Sequence, residues 1–110
     1  MNAPSVSLQE AQAIVETKTA PRVTKESIEA KIRGVEYVYH GTMTIAIIQM
    51  HSGFKQAGYA APADERNFDP DVGMRYAYED AFKGLWKLEG YLLCERLAAG
   101  DAVPTLTERA

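Results

Sequence analysis

The sequence predicts an α+β fold: a small antiparallel three-stranded β-meander followed by two C-terminal helices or one kinked helix, and preceded by short N-terminal helices. Two observations support this prediction. Residues 35–60 are rich in β-branched and aromatic side chains and are interrupted by Gly41 and by Ser52-Gly53, which is the pattern of strands joined by tight turns. Residues 67–97 then keep apolar side chains at three- and four-residue steps for about six turns, the spacing of a helix face.

Length and composition indicate one ordinary globular domain. The chain has 110 residues, of which 46% are hydrophobic and 25% charged, so a modest core is expected and the body is not of the disordered class. The net charge of -3 argues against a protein that coats DNA or RNA, because phosphate neutralisation requires a basic surplus. We therefore expect no bulk nucleic-acid binding.

The cellular location is predicted from three features of the sequence: membrane spans, a secretory signal and cysteine content. No apolar run approaches the roughly 20 residues of a membrane span, and no secretory signal is recognised. The single cysteine, Cys94, cannot form an internal disulfide, so a reduced cytosol is the expected location. Its leucine-rich surroundings on a helix predict a buried, unreactive thiol.

The N-terminal part is predicted as an arm, residues 1–22, in front of a single domain at 23–100 and a flexible tail at 101–110. Ser7 and Glu10 match a capping box, which starts a short helix that ends near Lys18.

A second short helix is predicted to begin at Thr24. Val23 and Ile28 stand at the two staple positions around this cap, and Gly34 is expected to end the helix.

The strands are predicted at Val35–His40, Thr42–Met50 and Phe54–Ala60. Neither face of the middle strand carries a charge, which is typical of a strand covered on both sides. Helices would cover one side and a second protomer the other. The alternative is a central strand partly covered by the N-terminal arm.

The C-terminal helical region is predicted to begin at Asp69, a helix-capping residue, with Pro70 in the favoured first position. Gly84 and Gly90 are unfavourable inside a helix, so a kink or a division into two helices is expected near Gly84. Gly100 is expected to end the region. Its apolar seam consists of Met74, Tyr78, Ala81, Leu85, Leu88 and Leu92.

No motif for catalysis or metal binding is recognised. The glycine-rich phosphate loops are missing. His40 and His51 stand at opposite ends of the middle strand, on the order of 30 Å apart, so they cannot share one ion. We expect a protein that is not an enzyme and has neither a cofactor nor a metal.

Residues with binding chemistry cluster before and inside the helical region. Arg66, Asn67 and Phe68 are consecutive and Arg75 follows. Side chains of these types can stack on a nucleobase, hydrogen-bond to its edge and pair with phosphate. The alternative is that Phe68 packs in the core, Asn67 bonds its own turn and the arginines are solvated. Lys83 is a further cation, whose commoner role at this spacing is a pair with Glu79.

The stretch from Val35 to Leu97 resembles a family of small proteins of tailed phages and prophages, of the coliphage and Shigella-phage type. The segments that carry the resemblance are Val35-Glu36-Tyr37, Gly53-Phe54, Asn67-Phe68-Asp69, Gly73, Ala77-Tyr78-Glu79, Leu85-Trp86 and Leu88-Glu89-Gly90-Tyr91-Leu92-Leu93. The resemblance implies a phage protein that acts in the host cytoplasm.

The plan of the fold is also similar, more loosely, to phage anti-defence sponges that sequester cyclic ADP-ribose-type signals of the Thoeris system. This similarity implies a homo-oligomer, a dimer or higher, that assembles through the sheet and helices and holds a small nucleotide between protomers without hydrolysing it. By this similarity Phe54, Asn67 and Phe68 would contact base or ribose, and Arg75 and Lys83 the phosphates. The competing hypothesis is a protein-interaction module that inhibits a host protein.

Overall fold

The computed structural model describes residues 4–16 and 20–100. The elements in chain order are α1 (Leu8–Glu16), α2 (Lys25–Glu29), β1 (Ile32–His40), β2 (Met43–Met50), β3 (Lys55–Ala60), a 3-10 turn (Glu65–Asn67) and α3 (Pro70–Ala98). This confirms the α+β prediction. The predicted C-terminal tail and the predicted end of the first helix near Lys18 lie outside the described residues.

The three strands form one antiparallel sheet in the order β1-β2-β3. Gly41 (φ +59°) and Gly53 (φ +95°) occupy the two hairpin loops, where positive φ favours glycine. Both turns were predicted.

The boundary between α2 and β1 differs from the prediction. Gly34 does not end α2; the helix ends at Glu29, and Gly34 lies within β1 at an irregularity in its register with β2. A glycine before a strand fits a β-bulge as readily as a helix end, so the local sequence did not separate the two alternatives.

The two faces of the sheet have different surroundings. We call the face that packs on the helices the covered face, and its buried β2 side chains are Thr44, Ala46, Ile48 and Met50. We call the other the open face; it carries Glu36, Val38 and His40 of β1, Met43, Ile45, Ile47 and Gln49 of β2, and Lys55, Ala57 and Tyr59 of β3. The side chains of β2 alternate between these two faces, and neither face of β2 carries a charge, as predicted.

Small residues allow α3 to lie close to the covered face. A Cβ built on Gly58 of β3 would lie 2.1 Å from the backbone nitrogen of Ala81, and one built on Gly73 of α3 would lie 2.6 Å from Thr44 Oγ1. These contacts place the start of α3 over the start of β2. The helix then runs along the sheet toward the β2–β3 hairpin.

The C-terminal helical region is one helix of 29 residues. Of the two predicted alternatives, the division at Gly84 is wrong. A Cβ on Gly84 would lie 2.2 Å from Gln56 Nε2, so this glycine provides close approach to β3. Asp69 caps the helix by accepting from the backbone N–H groups of Asp71 and Val72, and Gly100 (φ +77°) follows its end; both features were predicted.

The core lies between α2, α3 and the covered face. Ile28, Ile48 and Leu85 are its largest fully buried apolar side chains. Thr24 caps α2 in a capping box, and Val23 packs against the cluster that contains Ile28, as the staple pattern predicted. The other core residues are Ala46, Met50, Ala77, Ala81 and Phe82.

The last part of α3 extends beyond the sheet. The helix is about 43 Å long, whereas β2 spans about 27 Å. Cys94 lies on this extension and is exposed, so the prediction of a buried thiol is wrong: the leucines near Cys94 are themselves partly solvent-exposed. No helix in the described ranges is long and apolar enough to cross a membrane.

Candidate functional site

A concave site forms between the β2–β3 hairpin and α3. We call it the hairpin pocket; its volume is about 360 Å³ and its lining is Lys31, Met50, His51, Ser52, Phe54, Leu85, Leu88, Glu89 and Leu92. Met50 and Leu85 are buried at its base. Phe54 is the only residue of the five predicted ligand contacts that lines it.

Backbone hydrogen bonds fix the hairpin that forms one wall of the pocket. The N–H of Met50 donates to the carbonyl of Phe54 at 2.8 Å, and that of Gly53 to the carbonyl of Met50 at 2.9 Å. His51 N–H donates to the carbonyl of Lys31 at 2.9 Å, which joins the hairpin to the start of β1. The Phe54 ring is thus held on a well-bonded turn while 48% of the residue stays exposed.

One ion pair stands at the rim of the hairpin pocket. Lys31 Nζ lies 2.5 Å from Glu89 Oε1, with the two side chains 35% and 18% exposed. The pair joins the start of β1 to α3 across the pocket. His51 and Ser52 add further polar groups beside it, so the site offers an apolar base, one accessible aromatic ring and a polar rim.

The second group of predicted contacts lies where α3 begins. Asn67 ends the 3-10 turn and is exposed, and Phe68 is half-buried. A Cβ on Gly73 would lie 3.9 Å from Cε1 of the Phe68 ring, so this ring packs beside the first turns of α3.

Arg66 is engaged within its own turn. Its Nη2 donates to Asp64 Oδ2 at 2.6 Å, and its Nε lies 3.1 and 3.2 Å from the two carboxylate oxygens. Hydrogen bonds from the Arg66 side chain, and then from its backbone N–H, hold the pKa of Asp64 below its ordinary value. One alternative from the sequence was that Arg66 is simply solvated. In the structure Arg66 is paired with Asp64, although its side chain remains exposed.

Arg75 and Lys83 both lie exposed on α3. Arg75 pairs with Glu79 at 3.2 Å. The four-residue spacing favoured a pair between Glu79 and Lys83, but the structure pairs Glu79 with Arg75 instead. The two cations are separated by about 12 Å along the helix axis.

The five predicted ligand contacts do not converge in a single chain. Phe68 lies at the Thr44 end of β2 and Phe54 beyond its Met50 end, which separates the rings by about 20 Å along the strand. Asn67 and Arg75 are near Phe68. Lys31 and His51 were not predicted as ligand contacts, because sequence spacing gave no sign that Lys31 meets Glu89, 58 positions away.

The structure offers no metal centre in the part of the chain it describes. No group of three or more His, Cys, Asp or Glu side chains there is placed to hold an ion. His40 and His51 stand at opposite ends of β2, as predicted.

A family comparison places the chain among phage proteins. Residues 23–97 match the family model described as Phage protein (N4 Gp49/phage Sf6 gene 66) family. The chain belongs to this family. A search of curated proteins and one of solved structures found no significant match.

The Gp49/gene 66 match has clear bounds on the structure. It starts just before α2, includes the whole sheet and ends one residue before the end of α3. The hairpin pocket and the open face both lie inside these bounds, whereas α1 precedes them. The resemblance to a family of tailed phages is thereby confirmed.

Proposed function

We propose that this Gp49/gene 66 family protein binds a small cyclic nucleotide of the cyclic ADP-ribose type in the host cytoplasm and sequesters it, without hydrolysis, as an anti-defence protein. The observation that carries the proposal is the hairpin pocket, where an accessible Phe54 ring stands over an apolar base. Pockets that hold small ligands are concave, mostly apolar and have a few placed polar groups.

The chemistry of the pocket suits a nucleobase. Aromatic side chains stack on any base through its π-face, and Phe54 is held by backbone bonds in a position that leaves the ring accessible. The volume of about 360 Å³ lies at the small end of ligand pockets. It accommodates one base and its sugar, with the phosphates outside at the rim.

Phosphate contacts would come from the rim. Lys31 is the nearest cation, and its partner Glu89 must turn away or share the lysine when an anion arrives. His51 is the second candidate, because it lines the same rim and an imidazole N–H can donate a hydrogen bond to a phosphate oxygen.

The contacts near the start of α3 form a separate region in this proposal. Asn67, Phe68 and Arg75 would hold the nucleotide there if the hairpin pocket does not, and Lys83 lies about 12 Å further along α3. The two regions lie far enough apart that variants in one leave the other intact.

Calorimetric titration with cyclic ADP-ribose isomers and cyclic dinucleotides tests the proposal. Phe54→Ala should weaken binding about tenfold or more, because stacking is worth about 1–3 kcal/mol per base. Tyr76→Ala, which removes an exposed α3 ring outside the pocket, is the matched control and should bind as the wild type does.

Each other outcome has a distinct meaning. Binding lost in Phe68→Ala with Arg75→Ala, but kept in Phe54→Ala, would move the site to the start of α3. A hydrolysed nucleotide would contradict sequestration. A wild type that binds none of the panel would overturn the proposal and favour the inhibitor of a host protein, with the open face as its contact surface.

A further inference from the structure

A second concave site lies where α1 approaches the rest of the protein. We call it the arm groove; its volume is about 860 Å³, and its walls are α1, residues 22–26 and Trp86 of α3. Among the described residues, it shares no lining residue with the hairpin pocket. Its α1 wall and Arg22 precede the bounds of the Gp49/gene 66 match, so the family does not assign this groove.

Apolar side chains form much of the arm groove. Leu8 and Val15 of α1 are 75% and 41% exposed, and Val23 lines the groove with them. The Trp86 ring makes an edge-to-face contact with Phe82, with centroids 6.1 Å apart, while 42% of the residue stays exposed. The core therefore holds this ring in place and leaves part of it accessible.

The Arg22 guanidinium lacks the partner that a half-buried cation needs. In the part of the chain that the structure describes, its Nε is shielded from solvent without a hydrogen-bond acceptor, and Arg22 forms no ion pair. A buried polar group without a partner costs free energy, and the cost is greater for a charged group. Guanidinium groups pair best with carboxylate or phosphate. Because Arg22 lines the arm groove, an anion that enters the groove can supply the missing partner.

The other charged groups of the lining limit the charge of the ligand. Lys25 adds a second cation, but Glu16 and Glu26 line the groove as well, so two cations stand beside two carboxylates. A phosphate dianion would bring two negative charges toward these glutamates, whereas a carboxylate brings only one. Because like charges placed close together are costly, the lining favours a monoanion.

We propose that the arm groove binds an aromatic monocarboxylate, whose ring packs against Trp86 and whose carboxylate pairs with Arg22. Aromatic rings attract each other in offset or edge-to-face arrangements, and Leu8 and Val15 contact the remaining apolar surface of the ligand. The volume of the groove is within the range of small-molecule sites. This binding does not depend on the proposed nucleotide binding, because the two sites have different linings.

Titration with phenylacetate, followed by tryptophan fluorescence, tests the proposal. Trp86 is the only tryptophan of the chain, so a change in its emission reports on the arm groove. We expect a saturable change with a dissociation constant in the millimolar range, as is typical of a ligand of this size. Phenylacetamide has the same ring without the charge and should bind about tenfold more weakly, because charge-assisted hydrogen bonds are the stronger ones.

Variants of Arg22 test the role of its charge. Arg22→Gln should weaken phenylacetate binding about tenfold, since it removes the charged partner, and Arg22→Lys, which keeps the charge, should lose less affinity. Arg33→Gln is the matched control and should bind as the wild type does, because the exposed Arg33 side chain lies outside the arm groove and donates to Gln49. Circular dichroism verifies that each variant folds.

Four results would overturn the proposal. They are a wild type whose fluorescence shows no saturable change, phenylacetamide that binds as tightly as phenylacetate, and an Arg22→Gln variant that keeps full affinity. The fourth is phenyl phosphate that binds more tightly than phenylacetate, because it would contradict the preference for a monoanion.

Discussion

Gly58 determines how closely α3 approaches the sheet. The helix backbone at Ala81 occupies the space that a side chain at this position would need. Beside it, the Asp80 carboxylate accepts from the backbone N–H of Tyr59 at 3.0 Å. That bond occupies a donor of an edge strand, a group that would otherwise be available to another chain.

Gly58→Ala should therefore destabilise the protein, whereas Gly90→Ala should not. The first change forces the backbones of β3 and α3 apart, at a cost of about 1–3 kcal/mol in the free energy of unfolding. Gly90 has open space where its Cβ would be, so alanine should stabilise the helix by about 0.5–1 kcal/mol. Urea denaturation of both variants measures the difference. Equal effects would contradict the close approach.

Tyr78 makes stability sensitive to alkaline pH. Burial raises its pKa above 10, and Glu29 and Glu79 add to the effect. Because the folded protein holds this proton more tightly than the unfolded chain does, the stabilisation is complete below pH 10 and decreases as the pH rises toward the folded pKa. Wild type should lose more stability than Tyr78→Phe between pH 8 and pH 10.5. Tyr76→Phe, at an exposed ring, should behave as wild type does.

Individual residues were predictable where chemistry is local. The hairpin glycines and the capping residues were read from their immediate neighbours. The role of Gly84 was not, because its neighbour Gln56 comes from another element. The exposure of Cys94 depends on where the sheet ends beneath the helix.

Among the elements, α1 and α3 begin with caps of equal quality but have different effects on the fold. In α1, Ser7 and Glu10 form a reciprocal capping box, yet the helix buries none of its described side chains. Asp69 caps a helix that supplies half of the core. A cap affects global stability only where its helix is part of the cooperative unit.

Asp69→Ala should lower the free energy of unfolding by about 1 kcal/mol, because two backbone N–H groups of α3 lose their acceptor. Ser7→Ala should leave it unchanged. Chemical denaturation followed by the fluorescence of Trp86 measures both. A comparable loss in the two variants would contradict the independence of α1.

Element prediction succeeded for periodic segments and failed at one boundary. The alternation along β2 and the apolar seam of α3 both gave the correct element. The start of β1 was set too late, because Gly34 suits a helix end and a β-bulge equally well. Only its pairing near Gln49 distinguishes them.

At the scale of the whole molecule, the two faces of the sheet have different surroundings. The covered face builds the core and supports the hairpin pocket, whereas the open face is apolar along its centre and exposed. The sequence predicted that β2 would be covered on both sides. It gave no sign that Phe54 and Phe68 lie at opposite ends of β2 within one chain, because their separation depends on the path of the connection between β3 and α3.

Native mass spectrometry of the wild-type protein, alone and with the nucleotide panel, tests the central claim most directly. We expect the added mass of one intact cyclic nucleotide per protomer and recovery of the unchanged nucleotide after denaturation. A protein that retains no nucleotide, or that releases a hydrolysed one, would contradict the account.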